Sequence, residues 1–159
     1  MLDFSSLYRQ YAPDVYRFAL YLSGDAATAE DITSETFVRL WTARDLRVAT
    51  VRVYLLAIAR NLYRQSLRTK RREVPLDPGL SDPFANPEKA TSENERLLWL
   101  MNQLLTLPDV DRAALLMRTQ HDMSYAEIAA SLNISVATAK VRVHRATLKL
   151  ARRWSEEES

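Results

Sequence analysis

The chain contains no cysteine, only two histidines and only two glycines in 159 residues. Each scarcity removes a class of chemistry. Without cysteine there is neither a disulfide framework nor a thiolate zinc site. His121 and His144 are too few and too far apart in sequence for a convincing metal site, so no metal and no cofactor are expected. Two glycines leave no glycine-rich phosphate loop, and with long amphipathic runs they point to an all-α protein. No uninterrupted run of about 18 apolar residues occurs, so no membrane insertion is expected. Residues 1–4, MLDF, lack the basic region and apolar core of a secretory signal, and the expected location is the cytoplasm. No nucleophile–base pairing is visible. Neither an enzyme nor a small-molecule substrate is expected.

What the chain does have is segregated charge. The net charge is only +2. Yet Asp3, Asp14, Asp25, Glu30, Asp31 and Glu35 dominate the first 38 residues, and ten cations against the single acid Asp45 follow over residues 39–72. Residues 73–95 are acidic again, and the last helical pattern is basic. Two separated cationic blocks suit two contacts with a polyanion, and the acidic blocks suit a protein partner. A near-zero total implies weak DNA binding by the chain alone, because nonspecific affinity grows with the number of phosphates neutralised.

Apolar periodicity divides the chain into two helical modules. Phe4, Leu7, Tyr8 and Tyr11 mark a short first helix. Pro13 suits a helix start, and Val15, Phe18, Ala19 and Leu22 continue to Gly24. Thr28 and Asp31 read as a capping signal ahead of Ile32, Phe37, Leu40 and Trp41, with Phe37 and Trp41 expected in the core. Residues 44–50 read as a cationic loop. A helix over about 51–68 carries Leu55, Ile58, Ala59 and Leu62 as its buried stripe. Pro75, Pro78, Pro83 and Pro87 make the next stretch a linker. Beyond it Leu97, Leu98, Met101, Leu104 and Leu105 form one helix, and Ala113, Leu115, Leu116 and Met117 the next. Modules of about seventy residues are marginal alone, so each should gain stability by docking on something.

The most specific signal lies at residues 124–145. Ser124 and Glu127 form a capping box, Asn133 fits a left-handed turn position, and Ser135 caps a second helix. In that helix Val136, Ala139, Val143, Ala146 and Leu150 should face the core. Thr138, Lys140, Val141, Arg142, His144, Arg145 and Lys149 point elsewhere. Cations can hold phosphates or guanine edges, and Thr138 and Val141 can touch a thymine methyl, which is how a helix-turn-helix reads a major groove. The same pattern also describes a solvated basic helix on a bundle.

Four stretches occur in an order that resembles a family: residues 4–18, FSSLYRQYAPDVYRF; residues 28–41, TAEDITSETFVRLW; residues 55–61, LLAIARN, with the basic residues after them; and residues 124–145, SYAEIAASLNISVATAKVRVHR. They resemble the extracytoplasmic-function (ECF) subfamily of bacterial sigma-70 RNA polymerase sigma factors. The chain departs from that pattern at Tyr54, Ser34, Asn133 and Ala139, where the family usually has Trp, Gln, Gly and a larger apolar residue.

The resemblance implies two small helical domains: sigma region 2 over 1–72 and sigma region 4 over 93–155, joined by a Pro-rich linker over 73–92 and followed by an acidic tail over 156–159. It implies a transcription initiation factor that takes core RNA polymerase to promoter DNA and is held inactive by an anti-sigma partner. Arg52, Arg60, Asn61, Arg64, Gln65 and Arg68 would meet the −10 element, and the loop at 44–50 would receive a flipped base. Thr138, Lys140, Val141, Arg142, His144 and Arg145 would meet the −35 element, and Asp31, Glu35, Val38 and Arg39 would meet the polymerase. Intrahelical pairing alone also explains Asp31, Glu35 and Arg39, and without the resemblance Asn61 and Gln65 read as an ordinary exposed helix face. The competing function is a stand-alone helix-turn-helix regulator.

Overall fold

An aspartate opens the first helix and a glycine closes it. Helix α1 spans Phe4–Ser23, with Asp3 as N-cap accepting from the Ser5 amide at 3.3 Å. Gly24 ends it in the left-handed region (φ 72°), where its N–H donates to Leu20 O at 2.7 Å. The computed structural model describes residues 3–43, 50–72 and 92–158. The remaining helices are α2 (Ala26–Thr42), α3 (Val51–Arg72), α4 (Ser92–Leu105), α5 (Asp109–Thr119), α6 (Tyr125–Leu132) and α7 (Val136–Glu158), and no strand occurs among the described residues. The expected all-α class holds. The cationic loop and almost all of the Pro-rich linker lie outside the described residues.

Pro13 does not restart a helix as expected; it sits inside a continuous α1. Its ring is exposed, and Leu7, Val15, Phe18, Ala19 and Leu22 stay buried in one phase on either side of it. An interior proline costs about 3 kcal/mol. Each large apolar side chain returned to water would cost about 1.5–3 kcal/mol, so keeping the stripe intact outweighs the missing backbone bond. The cap of α2 also differs: it is Asp25, whose carboxylate accepts from the Thr28 amide at 3.2 Å and the Thr28 hydroxyl at 2.5 Å. Thr28 lies one turn further in. The buried Thr33 and Thr36 donate their hydroxyls to Ala29 O and Ile32 O, so α2 carries polar residues into the core without leaving them unpaired.

Helices α1, α2 and α3 pack as one group around Phe18, Leu22, Ile32, Phe37, Leu55 and Leu56. Helices α5, α6 and α7 form a second group around Leu116, Met117, Ile128, Ala139 and Val143. The two groups dock on each other, with α1 against α5 and α4 and α3 against α6, and their buried residues form one continuous core. The stabilising partner expected for each module is thus the other module.

At the far end α7 continues through Glu156, Glu157 and Glu158, where a frayed tail was expected. Trp154 meets Trp99 of α4 edge-on at 5.2 Å, and Arg153 donates to Gln103 Oε1 at 3.1 Å and to the Thr106 hydroxyl. These contacts hold the helix end. Val136, expected in the core, is 43% exposed.

Candidate nucleic-acid interface

The turn before α7 is built by local hydrogen bonds. Ser124 Oγ accepts from the Glu127 amide at 3.1 Å, and Glu127 Oε1 accepts from the Ser124 amide at 2.9 Å. That backbone donor holds the Glu127 carboxyl below the ordinary glutamate value. Asn133 takes the left-handed conformation (φ 56°, ψ 49°), and the Ile134 N–H closes the turn on Ala129 O at 3.0 Å. Ser135 Oγ then accepts from the Thr138 amide at 3.0 Å and caps α7. Both caps and the left-handed residue fall where the sequence placed them.

With Ala139, Val143 and Ala146 buried, the opposite face of α7 presents Lys140, Val141, His144 and Arg145 to solvent, with Leu148 one turn on. These five side chains line a shallow groove. Lys140 Nζ lies 5.9 Å from the Tyr125 ring centroid, which anchors its stem toward α6. Thr138 is half-buried and takes a hydroxyl bond from Ser135 at 2.7 Å. Arg142 stands apart from the other candidates. Its guanidinium donates to Asp111 Oδ1 at 3.1 Å, and Asp111 is 2% exposed, so Arg142 ties α7 to α5.

The second cationic face is on α3. Asn61, Arg64, Gln65 and Arg68 are exposed, whereas Arg52 and Arg60 are half-buried. Asp109 Oδ2 stands 3.5 Å from Arg60 Nη2 and 3.7 Å from Arg64 Nε. Burial pulls the Arg60 guanidinium below its usual value, and the Asp109 charge opposes that shift.

A third face lies on α2. Asp31, Glu35 and Val38 are exposed, and Arg39 pairs with Glu35 at 3.6 Å. Asp31 and Glu35 edge a groove toward α3 lined also by Ile32, Leu62, Ser66 and Thr69. At the C-terminal end of the helix Trp41 is 69% exposed, against the expectation of a core residue, while Phe37 is buried. The Trp41 ring meets Phe4 edge-on at 4.8 Å.

Residues 7–73 match the family described as Sigma-70 region 2, and residues 97–150 match Sigma-70, region 4. The ECF RNA polymerase sigma factor SigL of Mycobacterium tuberculosis is 34% identical over 154 residues, which span 91% of this chain and 85% of SigL. The chain belongs to the ECF RNA polymerase sigma factors. It is also 33% identical over 158 residues to SigE of Mycolicibacterium smegmatis, covering 94% of this sigma factor but only 61% of SigE. In fold it is similar to RpoE of Bartonella quintana, solved with the anti-sigma factor NepR (TM-score 0.73, 22% identity, 94% of this chain and 95% of that one). It is similar too to CnrH, solved with the cytosolic domain of CnrY (TM-score 0.71, 21% identity, 96% and 88%).

Four residues of this sigma factor have surroundings that carried no signal in the sequence. Asp109 and Asp111 read as ordinary first-turn acids of α5. Arg112 reads as an exposed cation, yet it is 5% exposed and donates to Leu104 O (2.8 Å), Leu107 O (2.9 Å), Leu105 O (3.4 Å), the Tyr63 hydroxyl (3.1 Å) and Leu22 O. Those carbonyls belong to the C-terminal ends of α1 and α4 and the turn after α4, where the helix dipole is negative. His121, for which the sequence suggested no role, is buried between α5 and α6 with its ring 5.8 Å from Phe18. Burial pulls its pKa down to about 4. Among the described residues no three His, Cys, Asp or Glu side chains converge as a metal site, and no helix is long and apolar enough to cross a membrane.

Proposed function

We propose that this chain is a promoter-specificity subunit in which α2 docks on core RNA polymerase, α3 contacts the −10 element and α7 contacts the −35 element. The observation that carries this reading is the α7 face. Four candidate contacts, Lys140, Val141, His144 and Arg145, stand together in solvent behind a turn capped at both ends. Arg145 and Lys140 suit phosphate or guanine N7 and O6, and Val141 suits a thymine methyl. Arg142 acts there by fixing the pose of α7 through Asp111. On α3, Asn61 and Gln65 are free to reach base edges, while Arg64 and Arg68 track phosphates. Flipping a base costs a few kcal/mol, and stacking on an aromatic or arginine plane returns about 1–3 kcal/mol. The balance is near neutral, so melting needs polymerase to hold the DNA.

The α2 face supplies acids, Val38 and the exposed Trp41, a mixture suited to a basic and apolar protein surface. In this reading the domains are 1–72, 73–92, 93–155 and 156–159, with residues 156–158 continuing α7. A role of this kind calls for no catalysis, cofactor or small-molecule substrate. Its place is the bacterial cytoplasm, and the anti-sigma factor NepR that accompanies RpoE suggests a partner of the same kind here.

Run-off transcription with core polymerase on genomic fragments tests the proposal. Asn61→Ala and Arg145→Ala are each expected to lower promoter-specific transcripts about tenfold or more while core binding survives, given about 1–3 kcal/mol per base contact. Replacing Asp31 and Glu35 together should weaken core association instead. Indistinguishable behaviour of the two sets in a core-binding assay would refute the division. Tight, selective gel shifts without polymerase would favour a stand-alone regulator.

A further inference from the structure

The ion pairs at the start of α5 have a property that a merely structural pair would not need. Asp109 faces two cations, Arg60 and Arg64, across the seam between the two modules, and both reach the same carboxylate oxygen. Those cations belong to the face assigned to the −10 element. The Arg60 side chain is only 11% exposed in this arrangement, whereas Asp109 is 31% and Arg64 48% exposed. The carboxylate therefore sits at the rim of the seam, open to water and to a competing anion.

Among the described residues, the hydrogen bonds across the seam are of a reversible kind. Arg112 donates to Leu22 O and Tyr63 Oη of the first module, and Ser131 Oγ donates to Val53 O at 2.9 Å. Those acceptors are neutral, and water can take their place when the seam opens. Arg112 itself keeps Leu104 O, Leu105 O and Leu107 O, which lie in its own module. Opening thus strands no charge in an apolar environment.

We propose that Asp109 is an internal phosphate mimic: it holds Arg60 and Arg64 while the modules are packed together, and nucleic-acid backbone must displace it, parting the modules, to reach α3. This rests on the reading of α3 as a DNA face. In the closed chain, a phosphate gains Arg60 only by breaking the Asp109 pairs and the seam behind them. Weak DNA binding by the free factor follows from this competition as well as from its low net charge.

The test is fluorescence anisotropy of the full chain with a short labelled single-stranded DNA. Asp109→Asn should raise affinity about three- to tenfold, the gain of freeing two phosphate contacts. Glu95→Gln, which removes an exposed acid on α4, should change it less than about twofold. Adding Arg60→Ala and Arg64→Ala to Asp109→Asn should abolish the gain. If those two arginine substitutions have no effect in any background, the DNA assignment of α3 fails. If they weaken wild-type binding while Asp109→Asn matches wild type or the Glu95→Gln control, the latch alone fails. A second measurement does not depend on the Asp109 variant folding. The chain has no cysteine of its own, so spin labels at Ala27→Cys on α2 and Ala130→Cys on α6, both exposed positions, report only the seam. One narrow distance in the free chain and a longer one with saturating DNA are expected; an unchanged distance overturns the parting of the modules.

Discussion

His121 shows how a residue with no visible motif can set a solution property. Its ring lies against Phe18, and the charges that face it are Asp14, Arg17 and Arg52. Burial disfavours the imidazolium most, and the two arginines add to it; Asp14 favours it but does not prevail, and the pKa falls from 6.5 to about 4. The unfolded chain takes up a proton near pH 6.5 that the folded chain refuses until about pH 4. Stability from this group is therefore complete above about pH 6.5 and drains away as pH falls toward 4, by up to about 3 kcal/mol. Urea unfolding at pH 7 and pH 4.5 checks this: His121→Leu should lose clearly less stability than wild type over that interval, and equal losses would sink the assignment. Arg112 and His121 escaped the sequence reading for a shared reason. A charged or titratable residue in a helical pattern reads as solvated, and only the arrival of distant groups, here Leu22, Tyr63 and Phe18, makes it an interior one.

Helix limits were legible where the signal is local. The capping box at Ser124, the left-handed Asn133 and the Ser135 cap use side chains within three residues of the groups they satisfy, so four letters suffice to specify them. Ser124→Ala is expected to lower stability by about 1 kcal/mol, read as a drop of about 2–4 °C in thermal midpoint for a chain of this size. A midpoint within error of wild type would mean that Glu127 and water satisfy the helix start unaided. Limits set by packing were not legible. Pro13 signalled a start that the continuous apolar stripe of α1 overrode, and the acids after Trp154 signalled fraying that the Trp99 contact overrode. The cationic set on α7 was legible as a face, but the division within it was not: Arg142 shares the periodicity of its neighbours and is set apart only by Asp111, thirty-one residues away.

Over the whole molecule the sequence indicated two units and the structure joins them. The linker composition, the order of motifs and the two matched family regions agree on two modules, yet the buried residues form a single cluster. The consequence is cooperative unfolding. Calorimetry of the free chain should give one transition whose van't Hoff and calorimetric enthalpies agree; two resolved transitions would show that the seam adds little. Gly24 offers a direct perturbation, since a Cβ there would stand 2.7 Å from Leu105 Cδ1 and the residue already has φ 72°. Gly24→Ala should destabilise the chain by about 1–2 kcal/mol through that backbone conformation.

The fastenings between the halves differ in how they answer to the medium. The carboxylate pairs near the rim weaken as ionic strength rises, because dissolved ions shorten the reach of charge to about 8 Å at 0.15 M. The guanidinium of Arg112, seated among uncharged oxygens, has no ion pair to lose among the described residues. A rise in cellular salt would loosen the outer clasp and spare the inner one, so osmotic conditions alone could bias how readily the two halves swing apart.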